Sequence, residues 1–217
     1  MKDSQKPPFI CDGCFRKLVF PEQPRCMCCS KPLEEEDEFC EDCRGRKRQF
    51  DQGWGMLLHD DATRKILYDL KFHNRRDNAD FVGHAMAGYF AEQLKNWKVQ
   101  ALIPVPLHKK RQKRRGYNQA ELIAKKMAFW LEQAGLEIPV DRELLVRRNS
   151  TLPQRKLNLA SRAKNMHNAF SVTEGKKYKT VVLIDDIFTS GSTLDECART
   201  LKQAGIQRVY FLTASIV

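Results

Sequence analysis

The sequence has no long uninterrupted apolar run. None of its 217 residues lies in a window approaching the roughly 18 consecutive apolar residues of a membrane-spanning helix. Residues 1–14, MKDSQKPPFICDGC, lack the apolar core of a secretory signal peptide. With 42% hydrophobic and 30% charged residues, the composition is that of a globular chain and not a disordered one. We therefore expect a cytoplasmic protein with no membrane span.

Two common catalytic signatures are also missing. The sequence contains no Gly-x-x-x-x-Gly-Lys-Ser/Thr segment, which excludes a P-loop kinase. Its five histidines have no metal-ligand spacing, and none completes a Cys/His nucleophilic pair. The sequence therefore leaves the catalytic residues unassigned.

Acidic residues are outnumbered by basic ones. The chain has 38 Lys and Arg against 27 Asp and Glu, a net charge of +11 and a pI of about 9.3. Such a charge favours nucleic acid, phosphorylated metabolites or a membrane surface as partners. The alternative interpretation is a charged surface that only keeps the protein in solution.

The composition divides the chain in two. Residues 1–47 are rich in cysteine and turn-forming residues, and the basic stretch RGRKRQF (44–50) marks the boundary. Residues 48–217 alternate between strand patterns and amphipathic helix patterns, which predicts an α/β fold with a parallel sheet and crossover helices. We expect a small cysteine-rich module followed by one α/β domain.

Seven of the eight cysteines lie in the first 43 residues, and four of them form two matched pairs. Cys26 with Cys29 and Cys40 with Cys43 are Cys-x-x-Cys turns, which present two thiolates to one tetrahedral ion. Together they predict a closed structural Zn²⁺ site. A reduced cysteine cluster or a redox switch is the alternative.

Three further cysteines in this segment are not needed for that site. Cys11 and Cys14 form a leftover Cys-x-x-Cys pair, which can ligate a second zinc ion or replace one of the other pairs. Cys28 lies between two ligands and should point away from the metal. We therefore expect one zinc site and leave the role of Cys11 and Cys14 open.

The segment VVLIDDIFTSGSTL (181–194) carries the most informative chemistry. An apolar strand, predicted to end at about Asp186, places Asp185 and Asp186 beside a loop that leads into a helix beginning near Leu194. Backbone N–H groups and hydroxyls of this loop can hold a phosphate at the helix N-terminus. The carboxylates can accept hydrogen bonds from a diol or hold Mg²⁺. The alternative is an ordinary helix cap.

This segment resembles the signature of the type I phosphoribosyltransferases, which bind 5-phosphoribosyl-1-pyrophosphate. The resemblance implies that Asp185 and Asp186 bind the ribose hydroxyls and that Mg²⁺ accompanies the ligand. It also implies that the loop surrounds the 5′-phosphate with five residues: Thr189, Ser190, Gly191, Ser192 and Thr193.

Three other segments narrow the resemblance to the ComF family: LKFHNRRD (70–77), IPVPLHKKRQKRRGYNQ (103–119) and the spaced residues Gln154, Leu157, Arg162, Asn165, Ala169 and Phe170. The resemblance implies pyrophosphate contacts from Lys71 and Arg75. Six of the eight residues from His108 to Arg115 are basic, so Arg115 joins these candidates. Residues 147–170 correspond to the family's mobile loop over the substrate.

The family resemblance implies a role in DNA uptake and natural transformation, and two functions remain open. The first is a phosphoribosyltransferase that displaces pyrophosphate, with catalysis by positioning and electrostatic stabilisation. The second is a nucleic-acid-binding or protein-interaction factor of the uptake machinery, in which the pocket is not catalytic. Single-stranded DNA and other competence proteins are the partners expected for the second function.

Overall fold

A four-stranded parallel sheet forms the centre of the fold in a computed structural model that describes residues 9–35, 37–148, 169–173, 175 and 178–217. Its strands are β1 (Gln52–Leu58), β2 (Ala101–Pro104), β5 (Thr180–Phe188) and β6 (Arg208–Ile216). Their spatial order is β1-β6-β5-β2, and each neighbouring pair is parallel. Strands β3 (Leu145–Arg147) and β4 (Phe170–Val172) form a separate antiparallel pair.

Helices cover both faces of the sheet, as the alternating sequence pattern predicts. They are α1 (Asp12–Phe15), α2 (Asp61–Phe72), α3 (Asn78–Asn96), α4 (Lys109–Arg115), α5 (Gln119–Gln133) and α6 (Ser192–Gln203). Apolar residues of α2, α3 and α5 share one core with one face of the sheet. Residues of α6 and the paired cysteines share a second core with the other face. The α/β prediction is therefore confirmed.

Strand β5 occupies an interior position and is longer than predicted. Residues 181–184 are fully buried, as the continuous apolar run requires in a sheet covered on both faces. We predicted a strand end at about Asp186 and a helix start near Leu194, whereas β5 continues to Phe188 and α6 begins at Ser192. The reason is that β6 keeps pairing with β5 as far as Phe188 and Ile216.

The cysteine-rich segment docks along β1, at the edge of the sheet. The Cys28 carbonyl accepts a hydrogen bond from the Gly53 N–H at 2.9 Å, and the Ser30 hydroxyl accepts one from the Gly55 N–H at 3.1 Å. An uncovered edge strand offers its unpaired backbone groups to other chains, and this docking covers that edge. The division into residues 1–47 and 48–217 stays a prediction.

In the part of the chain that the structure describes, no helix combines the length and apolarity that crossing a bilayer requires.

The packing of α3 against α5 depends on Gly83. A methyl group at this position would lie 2.4 Å from Cβ of Lys126 and 2.9 Å from the Met127 nitrogen. We expect Gly83→Ala to force the helices apart and to lower the free energy of unfolding by about 1–3 kcal/mol. Chemical denaturation monitored by circular dichroism measures this change.

Gly88 on the same helix provides the matched control. A methyl group there meets no atom within 4 Å. Gly88→Ala should therefore raise the free energy of unfolding by about 0.5–1 kcal/mol, because alanine loses less backbone freedom in a helix. A Gly83→Ala protein as stable as the Gly88→Ala protein would contradict the close packing.

Candidate functional site

The loop between β5 and α6 has the geometry of an anion site. Gly191 adopts the left-handed conformation (φ 75°) and caps α6, so the helix N-terminus opens onto the loop. Ser190 is buried, and its hydroxyl lies 3.0 Å from that of Ser192. Free N–H groups at a helix N-terminus attract a phosphate. The structure thus places Ser190, Gly191 and Ser192 together at the N-terminus of α6.

Gly191 is required at its place for two reasons. Its positive φ is one that side chains with a Cβ rarely adopt. A Cβ atom would also lie 2.8 Å from the ring of Phe188, which packs beneath the loop. The aromatic ring therefore fixes how closely the loop approaches the end of β5.

Asp186 is a buried carboxylate with two partners from distant helices. Lys71 of α2 forms an ion pair with its Oδ2 atom, and the Gln119 amide of α5 donates a hydrogen bond to Oδ1 at 3.2 Å. Burial opposes ionisation, but the charge of Lys71 and hydrogen bonds from Asp185, Lys71 and Gln119 outweigh it and lower the pKa of Asp186. Asp186 is therefore held as an anion.

The pKa of Asp185 is shifted in the opposite direction to that of Asp186. Its surface is partly accessible, yet protein atoms surround it closely. Burial and then the negative charge of Asp186 raise its pKa well above the usual value. Its Oδ1 atom accepts a hydrogen bond from the Asp186 N–H at 2.8 Å. The pair thus holds one firm negative charge and one carboxyl group that ionises at higher pH.

The predicted cations divide into two groups. Lys71 contacts Asp186, and Arg115 contacts the Gln119 side-chain oxygen, so both lie at the acidic pair. Burial lowers the pKa of Arg115, although the charge of Asp186 opposes that shift. Arg75 is exposed and lies within 3.4 Å of Asp77 at the turn before α3. The structure therefore places Lys71 and Arg115 at the carboxylates and Arg75 in a surface ion pair.

Two residues at the carboxyl ends of the parallel strands, Gln119 and His59, were not among the predicted site residues. Gln119 opens α5 and is buried against Asp186. His59 follows β1, and its Nδ1 atom lies 3.0 Å from the Ser215 hydroxyl. Burial, followed by the charges of Lys71 and Arg64, lowers the pKa of His59. Their position at the carboxyl ends of parallel strands, where ligands bind in such sheets, is the signal that points to both.

The structure describes only the two ends of the predicted mobile loop. Residues 149–168 lie outside the described residues, and so do Gln154, Leu157, Arg162 and Asn165. Its flanks form β3 and β4, which pair through Leu145 with Val172 and Arg147 with Phe170. The role of this loop stays a prediction.

The four paired cysteines form one buried cluster. The sulfur atoms of Cys26, Cys29, Cys40 and Cys43 all lie within 4.8 Å of one another, and those of Cys29 and Cys40 are 3.6 Å apart. A tetrahedral ion with Zn–S bonds of about 2.3 Å holds its sulfur atoms about 3.8 Å apart. The cluster therefore fits a closed structural zinc site with no open coordination position.

The electrostatics of the cluster agree with a bound cation. Hydrogen bonds from the thiols of Cys26, Cys28 and Cys29 lower the pKa of Cys43, whereas burial raises the pKa of Cys40 to about 11. Thiols that crowd into one buried cluster oppose one another's ionisation, because each thiolate is desolvated and repels the next. A divalent cation is the group that stabilises four buried thiolates together.

Cys11 and Cys14 lie apart from this cluster. Both are exposed, Cys11 as the N-cap of α1 and Cys14 within it, and the Cys14 N–H donates a hydrogen bond to the Cys11 sulfur at 3.4 Å. Among the described residues, the four-cysteine cluster is the only group of three or more metal-ligating side chains close enough to hold one ion. The leftover pair thus replaces no member of the closed site.

We expect one zinc ion per chain, held by the four-cysteine cluster. Atomic absorption should detect it in the wild type and in the Cys11→Ser/Cys14→Ser variant. It should be lost from Cys29→Ser, because three thiolates leave the tetrahedral site incomplete. Two zinc ions per wild-type chain, or loss of zinc from the Cys11→Ser/Cys14→Ser variant, would contradict this assignment.

Comparisons with known proteins match both parts of this structure. The family described as "Phosphoribosyl transferase domain" matches residues 82–214, which include β2, α5, β5, the loop and α6. The family described as "Double zinc ribbon domain" matches residues 2–44, which include the four-cysteine cluster. The first match covers more than half of the chain.

Relatives align with this chain along most of their length. "Competence protein F" of Haemophilus influenzae is 30% identical over 208 residues, which cover 92% of this chain and 87% of the relative. "DNA utilization protein YhgH" of Shigella flexneri is 26% identical, with 93% and 94% covered. "Competence protein ComFC" of Streptococcus pneumoniae is 26% identical, with 92% and 82% covered. Because it combines a phosphoribosyltransferase domain with a preceding zinc ribbon and aligns with these relatives, the chain belongs to the ComF family.

Proposed function

We propose that this chain binds 5-phosphoribosyl-1-pyrophosphate with Mg²⁺ and acts in DNA uptake during natural transformation. The observation that carries the proposal is the buried, ionised Asp186 beside the loop at the N-terminus of α6. A sugar phosphate is the kind of ligand that offers an anion to the loop and hydroxyl donors to the carboxylates. The family match over this region supports the same ligand class.

Each part of the ligand has a candidate partner. The 5′-phosphate would accept hydrogen bonds from the backbone and hydroxyl groups of residues 189–193. The two ribose hydroxyls would donate to Asp185 and Asp186, which accept hydrogen bonds when ionised. The pyrophosphate would face Lys71 and Arg115, and Arg75 would reach it only after leaving Asp77.

Mg²⁺ fits this site as a companion of the ligand. Mg²⁺ is usually bound by one or two carboxylates together with substrate phosphates and water. Asp185 and Asp186 supply the carboxylates, and among the described residues no third metal-ligating side chain joins them. The ligand's own oxygen atoms would therefore complete the coordination.

The biological role is proposed from the relatives. Proteins named for competence and for DNA utilisation align with 92–93% of this chain. A reduced, zinc-bound cysteine cluster is typical of a cytosolic protein. We place the pocket in a cytosolic step of DNA uptake, with phosphoribosyl transfer as its reaction when an acceptor is present.

We expect Asp186→Asn to lower the affinity for 5-phosphoribosyl-1-pyrophosphate with Mg²⁺ by at least tenfold. The substitution removes the charge that holds Lys71 in the site and one acceptor for the ribose hydroxyls. Isothermal titration calorimetry measures the affinity. Asp61→Asn, the same change at an exposed position of α2, is the control and should bind like the wild type.

The role of Asp185 can be tested by the pH dependence of the same affinity. Its raised pKa means that the ligand-free site holds a proton, which an interaction with Mg²⁺ or the ribose releases. The affinity should therefore rise with pH and level off once Asp185 is ionised in the free protein. Asp185→Asn should abolish this slope. No binding by the wild type would reject the proposed ligand, and an unchanged slope would reject the role of Asp185.

A second candidate function, binding of single-stranded DNA, is supported by a surface beside the pocket. On α2, Tyr68 and Phe72 are 46% and 44% exposed, and their ring centroids lie 4.7 Å apart. The Arg115 guanidinium lies 5.2 Å from the Phe72 ring. Helix α4, which ends at Arg115, buries none of its residues and has the sequence KKRQKRR. Exposed aromatic rings beside a basic helix are typical of single-strand binding.

We expect the Tyr68→Ala/Phe72→Ala variant to bind oligodeoxythymidine more weakly, because base stacking on an aromatic ring contributes about 1–3 kcal/mol per base. Fluorescence anisotropy over a series of salt concentrations measures the affinity. The salt dependence should stay steep in the variant, since α4 keeps its phosphate contacts. Phe129→Ala, which removes an exposed ring from α5, is the control. Equal affinities of both variants and the wild type would contradict this surface.

A further inference from the structure

The residues that join the two parts of the chain pass directly beneath the phosphate loop. We call residues 48–51 the connector, because they lie between the ligand Cys43 and the start of β1. Residues 44–47 are exposed, whereas the connector is partly or fully buried. Its contacts reach both the zinc cluster and the loop that we propose as the phosphate site.

Arg48 attaches the connector to the zinc cluster. Its Nη2 atom donates a hydrogen bond to the Asp42 carbonyl at 2.7 Å. Asp42 lies within the Cys-x-x-Cys turn, directly before Cys43. The guanidinium is therefore held by the backbone of the turn that a zinc ion would fix.

The same guanidinium also lies close to the loop that we propose as the phosphate site. Its Nη1 atom lies 3.4 Å from the position that a Cβ of Gly191 would occupy. The Arg48 side chain is half-buried between the Asp42–Cys43 turn and this loop. Arg48 thus lies between a zinc ligand and the first turn of α6.

The next two residues of the connector, Gln49 and Phe50, contact the residues on either side of the loop. The Gln49 N–H donates a hydrogen bond to Asp195 Oδ1 at 2.6 Å, and the Asp195 N–H donates to the Gly191 carbonyl at 2.8 Å. Phe50 is buried and packs edge-on against Phe188, the ring beneath Gly191, with ring centroids 6.4 Å apart. The connector therefore contacts both Asp195, in the first turn of α6, and Phe188, the ring beneath Gly191.

We propose that the zinc site sets the shape of the phosphate loop through Arg48, which acts as a positioning residue. Zinc fixes the turn that contains the Asp42 carbonyl, this carbonyl orients the guanidinium, and the guanidinium supports Gly191 and α6. Zinc removal then weakens phosphate binding, although none of the four ligands belongs to the proposed pocket. This inference rests on the proposed phosphate site.

The matched pair of variants for a test is Arg48→Met and Arg46→Met. Both remove one guanidinium, but Arg46 is exposed, and toward the described residues it bonds through its backbone N–H, to the Cys43 carbonyl. We expect Arg48→Met to bind ribose 5-phosphate about tenfold more weakly by calorimetry, equivalent to about 1.4 kcal/mol. Arg46→Met should bind like the wild type. Both should keep one zinc ion per chain.

Arg48→Lys separates positioning from general loss of stability. The lysine ammonium can still bind the Asp42 carbonyl but cannot support Gly191 at the same time, since it lacks the two-pronged guanidinium. Its affinity should therefore lie between those of the wild type and Arg48→Met, at an unchanged melting temperature. Binding by Arg48→Met equal to that of the wild type would overturn the proposal.

Hydrogen–deuterium exchange tests the inference without any ligand. Removal of zinc from the full chain by a chelator, or the Arg48→Met substitution with zinc retained, should speed exchange in residues 189–195. Exchange in residues 120–131 of α5 should not change. Unchanged exchange in residues 189–195 would overturn the coupling. A wild type that binds no ribose 5-phosphate but shows the faster exchange would reject the phosphate site and keep the coupling.

Discussion

The ion pair between Asp186 and Lys71 is the interaction on which the site depends. A carboxylate buried at the end of β5 is stable only if a partner replaces the water that it loses. Lys71 comes from α2 and Gln119 from α5, so the charge ties two helices to the central strand. Asp185 lies beside that charge, and burial followed by the negative charge of Asp186 raises its pKa. One buried charge thereby organises both carboxyl groups.

The zinc ribbon is stabilised both by its metal site and by its contacts with the α/β domain. Its segment is too short to bury a core of its own, and small modules of this kind depend on metal or on docking. This one uses both, because its cysteines join the core beneath α6 and its backbone bonds to β1. The ribbon consequently packs against the sheet and α6, and the connector that follows it reaches the loop that we propose as the phosphate site.

The basic charge of the chain is distributed unevenly. Helix α4 carries six basic residues in seven, whereas residues 34–38 of the ribbon are all acidic. An anionic polymer would therefore meet the surface of α2 and α4 and avoid that part of the ribbon. This surface also holds Tyr68 and Phe72, and it adjoins the carboxylates through Arg115 and Gln119. The two candidate functions thus use neighbouring surfaces of the same domain.

The sequence by itself determined the features that depend on residues close together in the chain. The β5 run, the loop with Gly191 and the spacing of the four zinc ligands are each local patterns with a physical cause, and they predicted the fold class and the zinc cluster. The tertiary structure decided which distant side chains meet these patterns. Gln119 and Arg48 were missed, and Arg75 proved to pair with Asp77, because such contacts depend on how helices and connector pack around the sheet. Packing of this kind joins residues far apart in the chain, and no local spacing encodes it.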